Sequence, residues 1–256
     1  LKHVFIIGIG SGNVEHVTIQ AINALNKADV VLIPTKGSAK ADLAEVRREI
    51  CARYITRTEI RVIDYAVPQR RTTDPNYLGG VDDWHAELSE EYERLFDRQV
   101  PENGTAAFLV WGDPSLYDST IRIVERVRSR GRVAVDFTVI PGITSIQALT
   151  ASHRIPLNLV GKPVQITTGR RLSESFPGIV ETAVVMLDGE QAFSRINDPD
   201  AYIYWGAYLG TADEITISGR LDDVATQIVE ARSKARAKHG WIMDIYLLRK
   251  GEDFDE

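Results

Sequence analysis

The chain holds one cysteine, Cys51, in 256 residues. That excludes an internal disulfide framework and a cysteine-rich metal site. Histidine is scarce as well. His3, His16, His85, His153 and His239 fall at spacings that match no metal-ligand pattern, so no metal is expected. Long apolar runs are missing. None approaches the ~18 residues of a membrane-spanning helix, and no membrane partner is expected. Positive charge is not in excess. The formal net charge is −6, whereas a nucleic-acid binder needs a basic face for the phosphates. There is no internal repeat and no low-complexity linker. The opening Leu1-Lys2-His3-Val4-Phe5-Ile6-Ile7-Gly8 is broken by glycine too early for a signal peptide and reads as a first strand. A cytoplasmic location fits these absences.

What is present has the balance of an ordinary globular protein, 44% apolar and 26% charged. The length suits one large domain or two of roughly 130 residues, each able to bury a core. Strand-like runs alternate with helical periodicity. Val4 to Gly8 is a strand, and Val17 to Asn26 carries Ile19, Ile22 and Leu25 at helical spacing. Ala28 to Pro34 contains Val30-Val31-Leu32-Ile33, apolar enough to be buried on both faces, as parallel strands covered by helices are. Residues 40 to 54 are helical, and Glu59 to Tyr65 is a strand. Val81 to Arg98 is a charged amphipathic helix with Leu88, Tyr92, Leu95 and Phe96 inward. Strands over Thr105 to Trp111 and Arg132 to Ile140 flank a helix from Thr120 to Arg130. In the second half, Ile146 to Ala151 and Ala225 to Lys238 read as helices, with a short one over Gln191 to Ile196. Val164 to Thr168, Thr182 to Leu187, Ala201 to Tyr208, Glu214 to Ser218 and Trp241 to Arg249 read as strands. Several of these follow one another without a helix, which predicts a mixed sheet. The expectation is therefore α/β, with a mainly parallel N-terminal sheet over 1–142 and a mixed C-terminal sheet over 143–256.

The most informative segment is Phe108-Leu109-Val110-Trp111-Gly112-Asp113-Pro114-Ser115-Leu116-Tyr117. A buried strand ends abruptly in Gly-Asp-Pro, because glycine permits unusual backbone angles and proline cannot extend a central ladder. An aspartate is left at the carboxyl end of the strand, where ligands bind in open α/β sheets. Taken alone it is an ordinary strand exit. Three further turns accompany it: Gly8-Ile9-Gly10-Ser11-Gly12, Pro141-Gly142-Ile143-Thr144-Ser145, and Trp205-Gly206-Ala207-Tyr208-Leu209-Gly210-Thr211. The first invites a dinucleotide-binding reading. That pattern needs a third glycine at position 13, which is Asn13, and an acid after the second strand, where Pro34-Thr35-Lys36 has none. The nicotinamide reading is accordingly weak, although Lys36 would suit a 2′-phosphate.

In their order and spacing the four turns resemble the tetrapyrrole methylase family, over nearly the whole chain. The resemblance implies two α/β domains, S-adenosylmethionine (SAM) as methyl donor with S-adenosylhomocysteine as product, a ligand cleft between the domains, and a homodimer. By motif match it implies SAM contacts from Gly10, Trp111, Gly112, Asp113, Leu116, Thr144, Ser145, Leu187, Asp188, Gly210 and Thr211. The family's usual proline in the first turn is Ser11 here, and the register at Leu187-Asp188-Gly189 is open by one residue. Within the family the chain is most like the branch that methylates C-1 of precorrin-5 and releases acetate, yielding precorrin-6A. The long segment between Asp64 and Val100, the aromatic Trp205–Thr211 block and the ending Gly240-Trp241-Ile242-Met243-Asp244-Ile245-Tyr246 carry that likeness.

Carbon–carbon cleavage needs a base to activate water, and Asp113, Asp188, His85 and Tyr117 are the candidates. The residues do not choose among them. A corrinoid precursor carries many carboxylates, and Arg70-Arg71 and Arg170-Arg171, in loop-like segments, are candidate partners for them. The alternatives are another SAM-dependent methyltransferase of the same fold (a different precorrin methylase or one like diphthine synthase), a nicotinamide oxidoreductase, and a ligand-binding module without catalysis.

Overall fold

A computed structural model of the chain describes residues 1–35, 41–68, 77–175 and 181–250. The chain divides into two compact units, Leu1–Thr144 and Ser145–Glu256. The first is built on five parallel strands: β1 (Lys2–Gly8), β2 (Val30–Thr35), β3 (Arg61–Ala66), β4 (Thr105–Val110) and β5 (Val135–Ile140). Their order is β3-β2-β4-β1-β5. Helices α1 (Ile19–Leu25), α2 (Ala41–Tyr54), α3 (Tyr77–Gln99) and α4 (Thr120–Arg130) connect them.

The strand period of two explains why this sheet needs helices on both faces. Val4, Ile6, Val30, Leu32, Ala106 and Phe108 pack into one core with Tyr92 and Phe96 of α3 and Ile123 and Val127 of α4. The alternate residues Ile7, Val31, Ile33, Ala107 and Leu109 pack into the other with Ala21 and Leu25 of α1 and Ile50 and Cys51 of α2. The first connection is as the sequence predicts. Asn13 caps a single 3-10 turn over Val14–His16, and α1 begins only after Thr18, whose hydroxyl accepts from the Ala21 N–H at 3.1 Å.

The second unit comprises α5 (Ser145–His153), β6 (Val164–Thr168), α6 (Gly169–Ser175), β7 (Thr182–Met186), β8 (Ala201–Ala207), β9 (Ile215–Arg220), α7 (Leu221–His239) and β10 (Asp244–Lys250). Its sheet runs β6-β7-β10-β8-β9. It is mixed, as expected: β6 and β7 are parallel, while β10 is antiparallel to both β7 and β8 and β9 is antiparallel to β8. Trp205 and Tyr246, cross-strand partners, form the centre of its core with Phe193, Ile203 and Ile228. Two local expectations change. The predicted helix over Gln191 to Ile196 is a 3-10 turn over Ala192–Arg195. Arg170 and Arg171 lie at the start of α6, not in a loop. That helix starts where Gly169 approaches the Asp188 side chain so closely that a Cβ would overlap it, a long-range contact that local pattern does not report. Among the described residues no helix is long and apolar enough to cross a membrane.

The carboxyl ends of β4, β1 and β5 meet at three glycines. A Cβ on Gly8 would stand 2.6 Å from the Gly142 nitrogen and 2.8 Å from the Gly112 carbonyl oxygen. A Cβ on Gly142 would overlap that same oxygen and stand 2.8 Å from the Gly8 Cα. The neighbours are backbone, which cannot rotate away. Gly142→Ala should therefore destabilise the protein by about 2 kcal/mol or more. Gly189→Ala, where nothing lies within 4 Å of an added Cβ, should be near neutral. Urea unfolding of the two variants checks the contrast.

Candidate functional site

Beyond β1 and β4 the chain continues as an isolated bridge. The Gly112 N–H donates to the Gly10 carbonyl at 2.8 Å, and the Gly10 N–H donates to the Gly112 carbonyl at 3.3 Å. Gly112 takes φ 67°, which lets the strand turn at once into Asp113-Pro114. Asp113 then ties this turn to the next strand exit. Its Oδ2 accepts from the Gly142 N–H at 2.8 Å, and its Oδ1 accepts from the Ser115 N–H at 2.8 Å and the Ser115 hydroxyl at 2.6 Å. Burial acts to raise the Asp113 pKa. The hydrogen bonds outweigh it, the Ser115 hydroxyl foremost, and hold the carboxyl below its ordinary value of 3.8. Three of about four acceptor positions on the carboxylate are thereby used. Asp113 is built to hold the turn in shape.

Three buried polar atoms near this edge have no hydrogen-bond partner among the described residues: Ser11 Oγ, His16 Nδ1 and Trp111 Nε1. Each such group costs about 1–3 kcal/mol if nothing satisfies it. They belong to the Gly10 turn, to the 3-10 turn that follows it and to the residue before Gly112. Ordered water or a polar ligand with several hydrogen-bonding groups would answer that deficit. Leu116 follows in the same turn, its N–H on the Asp113 carbonyl at 3.2 Å. Thr144 is also close: its Cα lies 3.8 Å from where a Gly112 Cβ would stand. Tyr117 is 47% exposed and held at φ 52°. A non-glycine residue in that region stores roughly 1–3 kcal/mol, a strain that concentrates at functional sites. His85, on α3, has its Nε2 3.0 Å from the Ser119 hydroxyl.

In the second unit, β6, β7 and β8 all run opposite to β10 or parallel to its antiparallel neighbour, so their carboxyl ends share one edge. Leu187 follows β7 at φ 53° and is 65% exposed. Asp188, next to it, is buried. Its Oδ2 accepts from the Ala192 N–H at 2.6 Å and the Tyr246 hydroxyl at 2.7 Å, and its Oδ1 accepts from the Glu190 N–H at 3.2 Å. Its carbonyl accepts from Arg232 Nη2 at 3.0 Å, while Arg232 Nε pairs with Asp244 at 2.8 Å. The carboxylate thus caps the following turn and anchors a core tyrosine. At the exit of β8, Tyr208 sits at φ 51° with its hydroxyl on the Trp241 carbonyl at 2.6 Å. Thr211 folds back on the Tyr208 carbonyl through its N–H at 3.0 Å and its hydroxyl at 2.7 Å. The Gly210 N–H donates to Glu214 at 2.6 Å. Ser145 opens α5. Arg170 and Arg171 are exposed. Arg70 and Arg71 lie outside the described residues.

The structure also brings together residues that pattern reading passes over. Arg47, Tyr65, Tyr92 and Asp118 line one cavity of the first unit. A signal was present in α2, where Ala44, Arg47, Ile50 and Cys51 share a helical stripe and are all buried. An arginine on an apolar stripe is the kind of buried charge that calls for explanation.

The family pattern of the Tetrapyrrole (Corrin/Porphyrin) Methylases matches residues 3–225. A precorrin-6A synthase, deacetylating, from Sinorhizobium sp. is 68% identical over 256 residues, covering 100% of this chain and 98% of that protein. Among solved structures, CobF from Corynebacterium diphtheriae, described as cobalamin synthesis related, is 37% identical with a TM-score of 0.84, covering 98% of this chain and 100% of that one. A uroporphyrin-III C-methyl transferase from Thermus thermophilus, complexed with S-adenosyl homocysteine, is 20% identical with a TM-score of 0.61, covering 98% and 97%. At that identity the likeness is one of fold.

The Asp188 contacts give a direct expectation. Asp188→Ala strands the Ala192 N–H and the Tyr246 hydroxyl in the interior and should cost on the order of 3 kcal/mol. Tyr246→Phe removes one donor and should cost about 1 kcal/mol. The double variant should cost less than the sum of the two, and urea unfolding of the set measures this.

Proposed function

The chain belongs to the tetrapyrrole (corrin/porphyrin) methylases, and from that premise we propose that it is a SAM-dependent C-methyltransferase of cobalamin synthesis that converts precorrin-5 to precorrin-6A, methylating C-1 and releasing acetate. The observation that carries this reading is the 68% identity, over the full chain, to a protein of that activity. SAM supplies a methyl group already activated on a sulfonium. The residues at the first unit's strand exits suit such a ligand. Buried Ser11 Oγ and Trp111 Nε1 need partners, and the Gly10–Gly112 bridge leaves no side chain between ligand and backbone.

Gly10, Trp111, Gly112, Leu116 and Thr144 are assigned to hold SAM. Asp113 is assigned as a positioning residue, since its carboxylate fixes the turn through Ser115 and Gly142. Ser145, Leu187, Asp188, Gly210 and Thr211 are given the same ligand on the family resemblance. Excluding water and aligning a carbon nucleophile with the methyl is what the site must add. The nicotinamide reading is disfavoured by the connection after β1. A 3-10 turn intervenes before α1, so no helix N-terminus follows the glycines directly to receive a pyrophosphate. A cytoplasmic homodimer is the assembly and location the family implies, and analytical ultracentrifugation measures the former.

Incubation with precorrin-5 and methyl-labelled SAM should yield labelled tetrapyrrole and free acetate in equal amounts. Labelled product without acetate would mean a different precorrin methylase. Asp113→Ala should weaken SAM binding at least a few-fold by calorimetry, and NADPH should show no saturable binding at micromolar concentration.

The exposed arginines on α6 are assigned to the substrate's carboxylates. Replacing Arg170 and Arg171 with alanine should raise KM for the tetrapyrrole and leave SAM affinity unchanged, the mark of lost uniform binding. Both constants moving together would make the pair structural.

A further inference from the structure

Residues just before and just after the Gly112 turn line a cavity of about 220 Å³ inside the first unit, Leu109 and Val110 on one side and Tyr117 and Asp118 on the other. Its polar lining comes from separate elements: Arg47 of α2, Tyr65 of β3, Tyr92 of α3 and Thr120 of α4. Arg47 is only 9% exposed, and its Nε donates to the Leu109 carbonyl at 2.8 Å. The Tyr65 and Tyr92 hydroxyls are 3.2 Å apart, and Thr120 lines the same cavity. Asp118 Oδ1 accepts from the Thr120 N–H at 2.6 Å, which fixes the carboxylate at the start of α4.

Desolvation is the main cause of each shift here. It pushes the Tyr92 phenol up to about 12 and the Tyr65 phenol well above its ordinary value, so both are neutral hydroxyls at pH 7. It lowers the Arg47 pKa, against the attraction of Tyr65 and Asp118, but a guanidinium stays charged in proteins. A buried cation, two neutral hydroxyls and a carboxylate therefore converge on one small volume. A methyl transfer from SAM requires none of them. Adding water to a ketone and expelling a carboxylate uses all three kinds: a base for the water, a donor for the oxygen that gains charge, and a cation for the acid formed. At roughly 30 Å³ per water, the cavity has room for a two-carbon acyl group and the water that attacks it.

We propose that this cavity receives the C-1 acetyl group, with the free hydroxyl proton of the Tyr65–Tyr92 pair donated to the acetyl oxygen, Asp118 as the base for the attacking water, and Arg47 as the cation that holds the acetate. This inference rests on the precorrin-5 reading given above. Asp118 takes a proton from water as the water oxygen bonds to the acetyl carbonyl carbon. The carbonyl re-forms and the bond from that carbon to C-1 breaks. The electron pair of the broken bond passes into the conjugated macrocycle at C-1, the carbon that is methylated. Acetic acid leaves and ionises beside Arg47, and its proton and the one on Asp118 go to solvent.

The test uses the full chain with precorrin-5, SAM and sodium acetate. Asp118→Asn should slow acetate release about a hundredfold. Tyr92→Phe should slow it about tenfold or more. SAM affinity by calorimetry should be unchanged in both. Acetate should inhibit the wild type competitively with precorrin-5, sodium chloride should not, and Arg47→Lys should relieve the inhibition. Acetate release at wild-type rate by Asp118→Asn and Tyr92→Phe would overturn the proposal while leaving the precorrin-5 reading intact. So would acetate inhibition that Arg47→Lys leaves unchanged. If either buried substitution unfolds the protein, the half-buried Asp118 decides the matter alone. A wild type that releases no acetate from precorrin-5 overturns the precorrin-5 reading itself, and the acetyl pocket with it.

Discussion

Three backbone segments in the first unit come closer together than side chains would allow. Gly8 ends β1 between Gly112 and Gly142, and neither Gly8 nor Gly142 has room for a Cβ. Glycine at these positions makes the contact sterically open, but it does not hold it closed. The Asp113 carboxylate does that, reaching from the exit of β4 to the Gly142 N–H after β5. Sterics and one charge-assisted hydrogen bond together fix the path of residues 111 to 118. The remaining features of this edge depend on that path. It holds Gly112 against Gly10, leaves Trp111 Nε1 buried in need of a partner, and sets Tyr117 at a positive φ beside the cavity.

On the assignments made above, one short segment serves two chemistries. Gly112 and Leu116 are assigned to the methyl donor, while Tyr117 and Asp118 line the volume assigned to the acetyl group. A reaction that breaks one bond to C-1 and makes another needs both groups placed relative to a single carbon. Placing them from one rigid turn avoids relying on two independently mobile loops. Hydroxyls that must donate to a developing negative charge act best when already oriented, and the buried Tyr65–Tyr92 pair is held by core packing on both sides.

The second unit secures its edge in another way. There the stabilising element is a buried polar network centred on Asp188, against which Gly169 packs. Asp188 takes donors from Ala192 and Tyr246, and Arg232 joins the Asp188 carbonyl to Asp244, which also receives the Trp205 indole N–H at 3.1 Å. Every member has partners, as a network in low dielectric must. Its effect is to hold Leu187 exposed at a strained φ directly beside a rigid anchor. Non-glycine residues at the exits of β7 and β8, Leu187 and Tyr208, hold positive φ on this edge.

Much of the fold was legible in the residues themselves. Runs such as Val30-Val31-Leu32-Ile33 demand cover on both faces, and the two cores of the first unit supply it. Strands following one another without helices imply a mixed second sheet, and Asn13 ahead of a delayed helix disfavours a dinucleotide site. These features are local, set by periodicity and turn chemistry, so a single sequence reports them. The order of the strands, the burial of Arg47, and the meeting of Tyr65 with Tyr92 depend on contacts between residues far apart in the chain. Asp188 shows the difference most plainly. Read along the sequence, an acid after a strand is a candidate base. In the folded chain, donors from a turn four residues on and from a strand 58 residues away occupy it. Residue type and local pattern determine where a strand must end. Which groups then share a buried volume, and with what charge, is decided only when tertiary packing removes them from water.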